Sequence, residues 1–157
     1  MEIQIRPARS ADFGGVHSLL TQIDRLHAEL HPERFTYAPK GQEEWRNLQL
    51  NLDDPDREML LAFDDHGLVG LAFLHIERAP DLVIFQPGEW VLLDILTVDE
   101  GQRGRGIGRE LLGASRAWAE SRGLREIQLT VYNRNPARDV YRRWGFEPIK
   151  ETMRLNW

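Results

Sequence analysis

The stretch from Glu89 to Gly123 holds the clearest hydrophobic pattern in the chain, and it predicts a strand followed by a helix. Trp90–Val98 is apolar except at Asp94 and Thr97, which is typical of a central strand covered on both faces. After the strand, the apolar residues fall on one stripe of a helix that starts near Gly106. That stripe consists of Ile107, Leu111, Leu112, Ser115, Trp118 and Ala119.

The remaining pattern predicts an alternation of strands and helices in the order β-α-α-β-β-β-α-β-α-β, with no internal repeat. The other predicted strands are Glu2–Arg6, Glu58–Phe63, Leu68–Ile76, Glu126–Tyr132 and a closing strand Phe146–Leu155. The other predicted helices run from Ser10 or Asp12 through Leu26, from about Gly41 to Leu52, and onward from Asn135-Pro136. The strand Trp90–Val98 and the predicted strand after its helix, Glu126–Tyr132, are expected to lie parallel, because a right-handed crossover joins them.

The turn between this strand and helix, Gln102–Gly108, combines alternate glycines with two arginines. Glycines at 104, 106 and 108 leave the backbone open to close approach by a ligand. The first N–H groups of a helix have no partner inside the helix, and the helix dipole adds positive potential there. Together with Arg103 and Arg105 these features predict a site for phosphate or pyrophosphate. A glycine-rich connection with two solvated arginines is the structural alternative.

Two other phosphate-binding motifs fit this turn poorly. A P-loop requires Gly-Lys-Ser/Thr after its glycines, and that sequence is missing. The dinucleotide fingerprint G-x-G-x-x-G is not met, since the spacing here is G-x-G-x-G. Five polar residues, Asp99–Arg103, also separate the strand from the first glycine, where a Rossmann turn is tight.

Three stretches of the sequence carry a family resemblance, and the first of them contains the glycine turn. Arg103-x-x-Gly106-x-Gly108, after the strand end Leu96-Thr97-Val98, resembles the acetyl-CoA signature of the GCN5-related N-acetyltransferases (GNAT). Ala137-x-x-Val140-Tyr141-x-x-x-Gly145-Phe146 resembles the second signature of that family, and Ile5-Arg6-Pro7-Ala8 with Asp12 is similar to its N-terminal opening. One departure is Arg134, which stands where the family usually has asparagine.

The resemblance implies an α/β fold, a single domain over residues 1–157 with a mixed sheet of about six to seven strands and about four flanking helices. In the family, the central parallel strands splay at their carboxyl ends, and the pantetheine arm of acetyl-CoA inserts between them. Acetyl-CoA is thus the implied co-substrate, with no metal. The implied binding residues are Leu96, Thr97, Val98, Arg103, Gly104, Arg105, Gly106, Ile107, Gly108 and Asn133.

The implied activity is N-acetyl transfer directly to a primary amine of a small molecule or protein. Tyr141 matches the family tyrosine that protonates the departing thiolate, although its position beside Val140 and Trp144 also suits a core tyrosine. Asp94 is the candidate base on the strand, with Glu89 second, and desolvation would bring its carboxylate into a useful range. A structural carboxylate is the other interpretation of Asp94. A non-catalytic acyl-CoA-binding or regulatory domain is the alternative function.

The composition limits the kinds of molecule that the protein is expected to bind. The net charge of −5 argues against nonspecific nucleic-acid binding, which depends on excess Lys and Arg. There is no bilayer-length apolar run, no signal-peptide core and no cysteine, so we expect a cytoplasmic protein without membrane or thiolate-metal sites. His27 and His31 are expected at a helix surface, or lining an acceptor site with Phe35 and Tyr37. The family resemblance also allows a homodimer.

Overall fold

The computed structural model of the protein describes residues 2–37 and 52–157. Within them the chain forms a mixed α/β fold, as the sequence predicted. Its elements are β1 (Gln4–Pro7), α1 (Phe13–Leu30), β2 (Arg57–Asp64), β3 (Gly67–Arg78), β4 (Glu89–Val98), α2 (Ile107–Glu120), β5 (Ile127–Gln128) and α3 (Ala137–Arg143). The predicted helix over Gly41–Leu52 lies outside the described residues except for its last position.

The five described strands form one sheet in the order β1-β2-β3-β4-β5. The first four strands pair antiparallel, and β5 pairs parallel to β4, as the crossover requires. The β4–β5 ladder consists of Val91 opposite Ile127 and Leu92 opposite Gln128, whereas β4 continues to Val98. The two strands therefore part toward their carboxyl ends, and the predicted splay is confirmed.

A β-bulge in β4 changes which side of the sheet its residues face. The ladder with β3 pairs Phe73 with Ile95 but Leu74 with Leu93, so Asp94 is the extra residue. Val91 and Leu93 pack in the core beneath α2, whereas Ile95 packs on the opposite side, against the core beneath α1. Strict alternation of side chains therefore does not continue through Asp94, because one extra residue inverts the pattern beyond it.

Each side of the sheet is covered by one long helix. Helix α1 contributes Val16, Leu19 and Leu20, which pack on Met59, Leu61, Leu71 and Phe73. Helix α2 contributes Ile107, Leu111, Trp118 and Ala119, which pack on Leu60, Ala62, Val69, Ala72, Leu74, Val91 and Leu93. Helix α2 packs closely on the sheet at Gly70, where a Cβ would lie 2.9 Å from Leu111 Cδ1 and 3.2 Å from Ile107 Cγ2.

The C-terminal third differs from the prediction. The fifth strand is shorter than the predicted Glu126–Tyr132, and the described residues give five strands and three α-helices instead of about six to seven and about four. The predicted closing strand Phe146–Leu155 forms neither strand nor helix. Among the described residues, none after Leu124 is buried, so this part of the chain lacks the covering layer that the pattern anticipated.

The N-terminal motif is a structural ion pair. Arg6 donates two parallel hydrogen bonds to Asp12, at 2.8 and 2.9 Å, and Asp12 also accepts from the backbone N–H of Arg9 at 2.7 Å. These contacts join the end of β1 to the start of α1. The Arg6 guanidinium lowers the pKa of the Asp12 carboxyl below its ordinary value.

Replacing Asp12 with asparagine is expected to lower the free energy of unfolding at pH 7 by about 1–2 kcal/mol. Since the pKa is lower in the folded state, the carboxylate's contribution is present above the unfolded pKa of about 3.9 and is lost as pH falls below it. Denaturant unfolding of the Asp12→Asn variant at pH 7 and pH 3 measures this. Asp65→Asn, in the exposed β2–β3 turn, is the control; an equal loss at both pH values would contradict the assignment.

Candidate active site

The turn between β4 and α2 presents backbone N–H groups at a helix start. Gly104 and Gly106 have φ of +80° and +86°, in the left-handed region that favours glycine, and nothing lies within 4 Å of a Cβ at either position. Gly106 caps α2, and its carbonyl oxygen accepts from the N–H groups of Arg109 and Glu110. The N–H groups of Ile107 and Gly108 precede these at the helix start, where the dipole favours an anion.

The two arginines of this turn are both engaged by the protein. Arg103 Nε donates to the carbonyl oxygen of Val98 at 3.2 Å, which ties the turn to the end of β4. Arg105 lies 3.6 Å from the Asp64 carboxylate, whose side chain is fully buried at the end of β2. Arg103 is therefore held beside the turn. Arg105 lies close to the buried side chain of Asp64.

The third glycine makes room for a helix from the other motif. A Cβ on Gly108 would lie 3.2 Å from Cη2 of Trp144 and 3.7 Å from Val98. Trp144 packs edge-on against Tyr141, with ring centroids 5.9 Å apart. Contacts run from Gly108 to Trp144 and from Trp144 to Tyr141, so they bring the two sequence motifs together. The sequence alone had indicated no role in the site for Trp144.

Tyr141 is a partly buried phenol at the end of α3. It lies between Trp144 and Phe146, and its ring centroid is 5.8 Å from that of Phe146. Burial raises the pKa of its hydroxyl above the ordinary value of 10.0. The group is therefore protonated at neutral pH and able to donate a proton.

Asp94 is an exposed residue in β4, but its side chain is only 31% exposed, so its carboxylate is partly covered. As the bulged residue of β4 it points away from both cores and hydrogen-bonds Nδ1 of His75 on the neighbouring strand. His75 Nε2 lies 3.3 Å from Glu77 Oε1. Sequence reasoning missed His75, which the observed pairing of β3 with β4 places opposite Leu92 and so close to Asp94. The described contacts do not join Asp94 to Tyr141.

The remaining predicted residues have separate positions. Glu89 pairs with Arg78 at 2.7 Å at the start of β4, the end far from the turn. Asn135 Oδ1 accepts from the N–H of Ala137 at 2.9 Å, as expected of a residue that opens α3. Asn133 is exposed. Arg134, at the departure from the family pattern, donates to the carbonyl oxygen of Leu30 at 3.2 Å and so contacts the end of α1.

Helix α1 is tied directly to the start of the turn. Gln22 donates to the Asp99 carboxylate at 2.8 Å and accepts from the N–H of Glu100 at 3.0 Å. Arg25 adds an ion pair with Glu100 at 3.0 Å. Both residues are polar residues of α1 with no special sequence signal. Their contacts with the turn therefore become visible only in the tertiary structure.

An aromatic cluster joins the end of α1 to the segment after β5. Tyr132 lies within 6.4 Å of the rings of His27, His31 and Phe35, measured between centroids. His31 is 4% exposed, so the expectation of a helix-surface position is wrong for this residue. Its Nδ1 lies 3.2 Å from Glu33. The cluster packs the end of α1 against the segment just after β5.

Metal ligation and membrane crossing have no candidate residues or helices in the described part of the chain. No three His, Asp or Glu side chains are grouped as metal ligands there. Neither is any described helix long and apolar enough to cross a bilayer.

Comparisons with known proteins agree on one family. The model of the acetyltransferase (GNAT) family matches residues 20–146. No curated protein sequence matches the chain.

Solved structures give a large set of similar folds. The tetramutant of BH1408 from Bacillus halodurans is 27% identical, with a TM-score of 0.91 over 98% of this chain and 99% of that one. The aminoglycoside 6'-N-acetyltransferase AAC(6')-Ih from Acinetobacter baumannii is 14% identical, with a TM-score of 0.76 over 99% and 98%. AAC(6')-Iy, in complex with the bisubstrate analog CoA-S-monomethyl-acetylneamine, is 18% identical, with a TM-score of 0.75 over 100% and 99%.

Proposed function

Because the chain belongs to the acetyltransferase (GNAT) family, we propose that it acts as one domain that transfers an acetyl group from acetyl-CoA directly to a primary amine. The amine belongs to a small molecule or a protein. The observation that carries this proposal is the gap between β4 and β5, which ends at a glycine turn on the N-terminus of α2. A long ligand with a diphosphate at one end fits a site of that form.

The residues of the turn fit the coenzyme. Helix-start N–H groups and the two left-handed glycines accommodate the pyrophosphate, and Arg103 adds a cation next to it. The backbone of Leu96–Val98 borders the gap where the strands part, and it offers peptide groups to an extended amide-containing chain. Arg105 and Asn133 complete the proposed contacts. No metal is required for this binding.

Two groups supply the proton transfers. Asp94 accepts a proton from the ammonium form of the acceptor, and the hydrogen bond with His75 fixes one of its carboxylate oxygens while the other remains available. The neutral amine nitrogen then bonds to the thioester carbon as the carbon–sulfur bond breaks, and the second proton that this nitrogen sheds to become an amide restores the phenol of Tyr141. Tyr141 donates its proton to the leaving thiolate, since its raised pKa keeps the phenol protonated. Positioning both substrates in one gap removes the need for a covalent intermediate.

Two solved structures support amine acetylation by this architecture. AAC(6')-Ih is named an aminoglycoside 6'-N-acetyltransferase, and AAC(6')-Iy was solved with a bisubstrate analog that contains CoA. Their identities of 14% and 18% are evidence of a shared fold and leave the acceptor of this chain open.

A thiol-release assay with acetyl-CoA and a panel of amines tests the proposal. The panel contains aminoglycosides, amino sugars, polyamines, amino acids and peptides with a free lysine or N-terminus. We expect amine-dependent CoA release and a product heavier by one acetyl group in mass spectrometry. Calorimetric binding of CoA without release for any amine would instead favour a non-catalytic acyl-CoA-binding domain, and absence of binding would overturn both.

Replacing Gly106 with alanine is expected to weaken CoA binding about tenfold. A Cβ at φ +86° is strained by about 1–2 kcal/mol, and relieving that strain turns the first N–H groups of α2 away from the phosphate. Isothermal titration calorimetry measures the affinity. Gly113→Ala is the matched control, because Gly113 is exposed inside α2 with open space around it. That variant should gain about 0.5–1 kcal/mol of stability and bind CoA normally; equal affinities for the two variants would contradict the proposed turn.

A further inference from the structure

The centre of the glycine turn carries a single side chain. Arg105 stands between Gly104 and Gly106, whose φ values are +80° and +86°. Glycine gives the backbone more conformational freedom than any other residue type. Whatever fixes the Arg105 side chain therefore also restricts the N–H groups on either side of it.

The Arg105 side chain lies against a buried carboxylate. Its Nη1 is 3.6 Å from Oδ2 of Asp64, whose side chain is fully buried. The other oxygen, Oδ1, accepts a hydrogen bond from the N–H of His66 at 2.8 Å, whereas no described donor hydrogen-bonds Oδ2. Because a buried carboxylate is stable only when its charge is compensated, Arg105 is the cation that Oδ2 depends on.

The sheet brings Asp64 to the glycine turn. Leu60 and Ala62 of β2 pack beneath α2, so alternation along the strand places Asp64 on the same side of the sheet. Asp64 also precedes the turn into β3, and Val69 of β3 accepts a hydrogen bond from the N–H of Asp99 at 2.9 Å. The β2–β3 turn and the end of β4 therefore lie at one end of the sheet, next to the start of α2.

The charges in this region indicate that Asp64 and Arg105 stay together when an anion binds. A carboxylate close to a diphosphate repels it, so Asp64 by itself opposes binding. If Arg105 moved from Asp64 to a phosphate, it would leave the buried carboxylate uncompensated, which is strongly destabilising. The gain would be smaller, since the Arg105 side chain is 36% exposed and solvent weakens an exposed ion pair.

We propose that Asp64 is a positioning residue for the coenzyme. Its buried carboxylate holds the Arg105 side chain, and this contact keeps the backbone from Gly104 to Gly106 in the conformation that binds the diphosphate. Arg105 meets the coenzyme through its backbone, while Arg103 supplies the cation next to the phosphate. This role rests on the proposed function, because it concerns the binding of the same coenzyme.

Replacing Asp64 with asparagine tests this role, because the change keeps the size of the side chain and removes the charge that holds Arg105. We expect the affinity for CoA, measured by isothermal titration calorimetry, to fall about tenfold as the preorganised turn is lost. The KM for acetyl-CoA should rise in proportion, while kcat at saturation stays within about twofold. Asp65→Asn, at the exposed neighbouring position, is the control and should leave both constants unchanged.

The sign of the change separates positioning from direct contact. If the Arg105 guanidinium bound the diphosphate, Asp64→Asn would release it from the carboxylate and remove a negative charge, so CoA would bind more tightly. An unchanged or tighter affinity in Asp64→Asn would therefore overturn the proposal. Arg105→Gln added to Asp64→Asn should cost little further affinity, because the contact is already lost, and fully additive losses would also overturn it.

Hydrogen–deuterium exchange follows the turn in the absence of a ligand. The amides of residues 103–108 should exchange faster in Asp64→Asn than in the wild-type chain, and Asp65→Asn should match the wild type. Equal exchange in all three chains would contradict the role of Asp64. A wild-type chain that binds no CoA would overturn the proposed function and this role with it. Amine acetylation by the wild type together with normal CoA affinity in Asp64→Asn would overturn this role alone.

Discussion

Replacing Tyr141 with phenylalanine is expected to lower kcat at least about tenfold, and up to the 10²–10⁴-fold that a positioned general acid contributes. The variant keeps the ring that packs against Trp144 and Phe146, and it removes only the hydroxyl. The affinity for CoA should change little, because the phosphate-binding turn is unaltered. Steady-state kinetics with the best amine of the panel, together with calorimetry of CoA, measures both quantities.

The pH dependence sharpens this test. Since burial raises the pKa of Tyr141, the protonated phenol persists as pH rises, and any loss of kcat from its ionisation should appear only above about pH 10. Phe146→Leu is a useful control, since it disturbs the same packing but leaves the hydroxyl. Unchanged turnover in Tyr141→Phe would remove the residue from the chemistry and leave it a packing role.

Replacing Asp94 with asparagine is expected to lower kcat/KM by about 10²-fold, the lower range for loss of a general base. The change preserves size and a hydrogen bond to His75 but removes the charge that takes up the proton. A variant with normal kcat/KM would make Asp94 a structural carboxylate.

His75 provides the companion experiment, since it contacts Asp94 and acts as a positioning residue. His75→Ala should lower kcat/KM less than Asp94→Asn does, because one carboxylate oxygen loses its partner. His75→Asn returns a donor near the former Nδ1 and should restore most of the activity. Glu89→Gln at the far end of β4 is the control and should leave kcat/KM unchanged, because Glu89 pairs with Arg78 away from the turn.

Local sequence signals predicted the parts of the fold that depend on local chemistry. Alternating and helical apolar patterns predicted β2, β3, β4 and α2, and Gly123, with φ +75°, lies just beyond the end of α2. The glycine turn was predictable because positive φ restricts the residue type. The two motifs also predicted that Tyr141 and the turn belong to one site, and Trp144 is the contact between them.

The parts that sequence reasoning missed depend on tertiary arrangement. The bulge at Asp94 carries no residue signature, yet it decides which way the carboxylate points and brings it to His75. In the sequence, Gln22 and Arg25 are ordinary polar residues of a helix, and their contacts with the turn arise only when the turn packs beside α1. The predicted closing strand Phe146–Leu155 does not form, because a strand depends on its pairing partner and register as well as on its local sequence.

The uneven burial has a consequence for folding during synthesis. Every buried residue in the described part of the chain lies at or before Leu124, so both described cores are complete in sequence before the last fifth of the polypeptide is translated. Chains emerge N-terminus first and domains begin to fold as they do. The residues after Leu124 can therefore still occupy the ribosome when the last buried residue emerges, and the cores can begin to form before the chain is released.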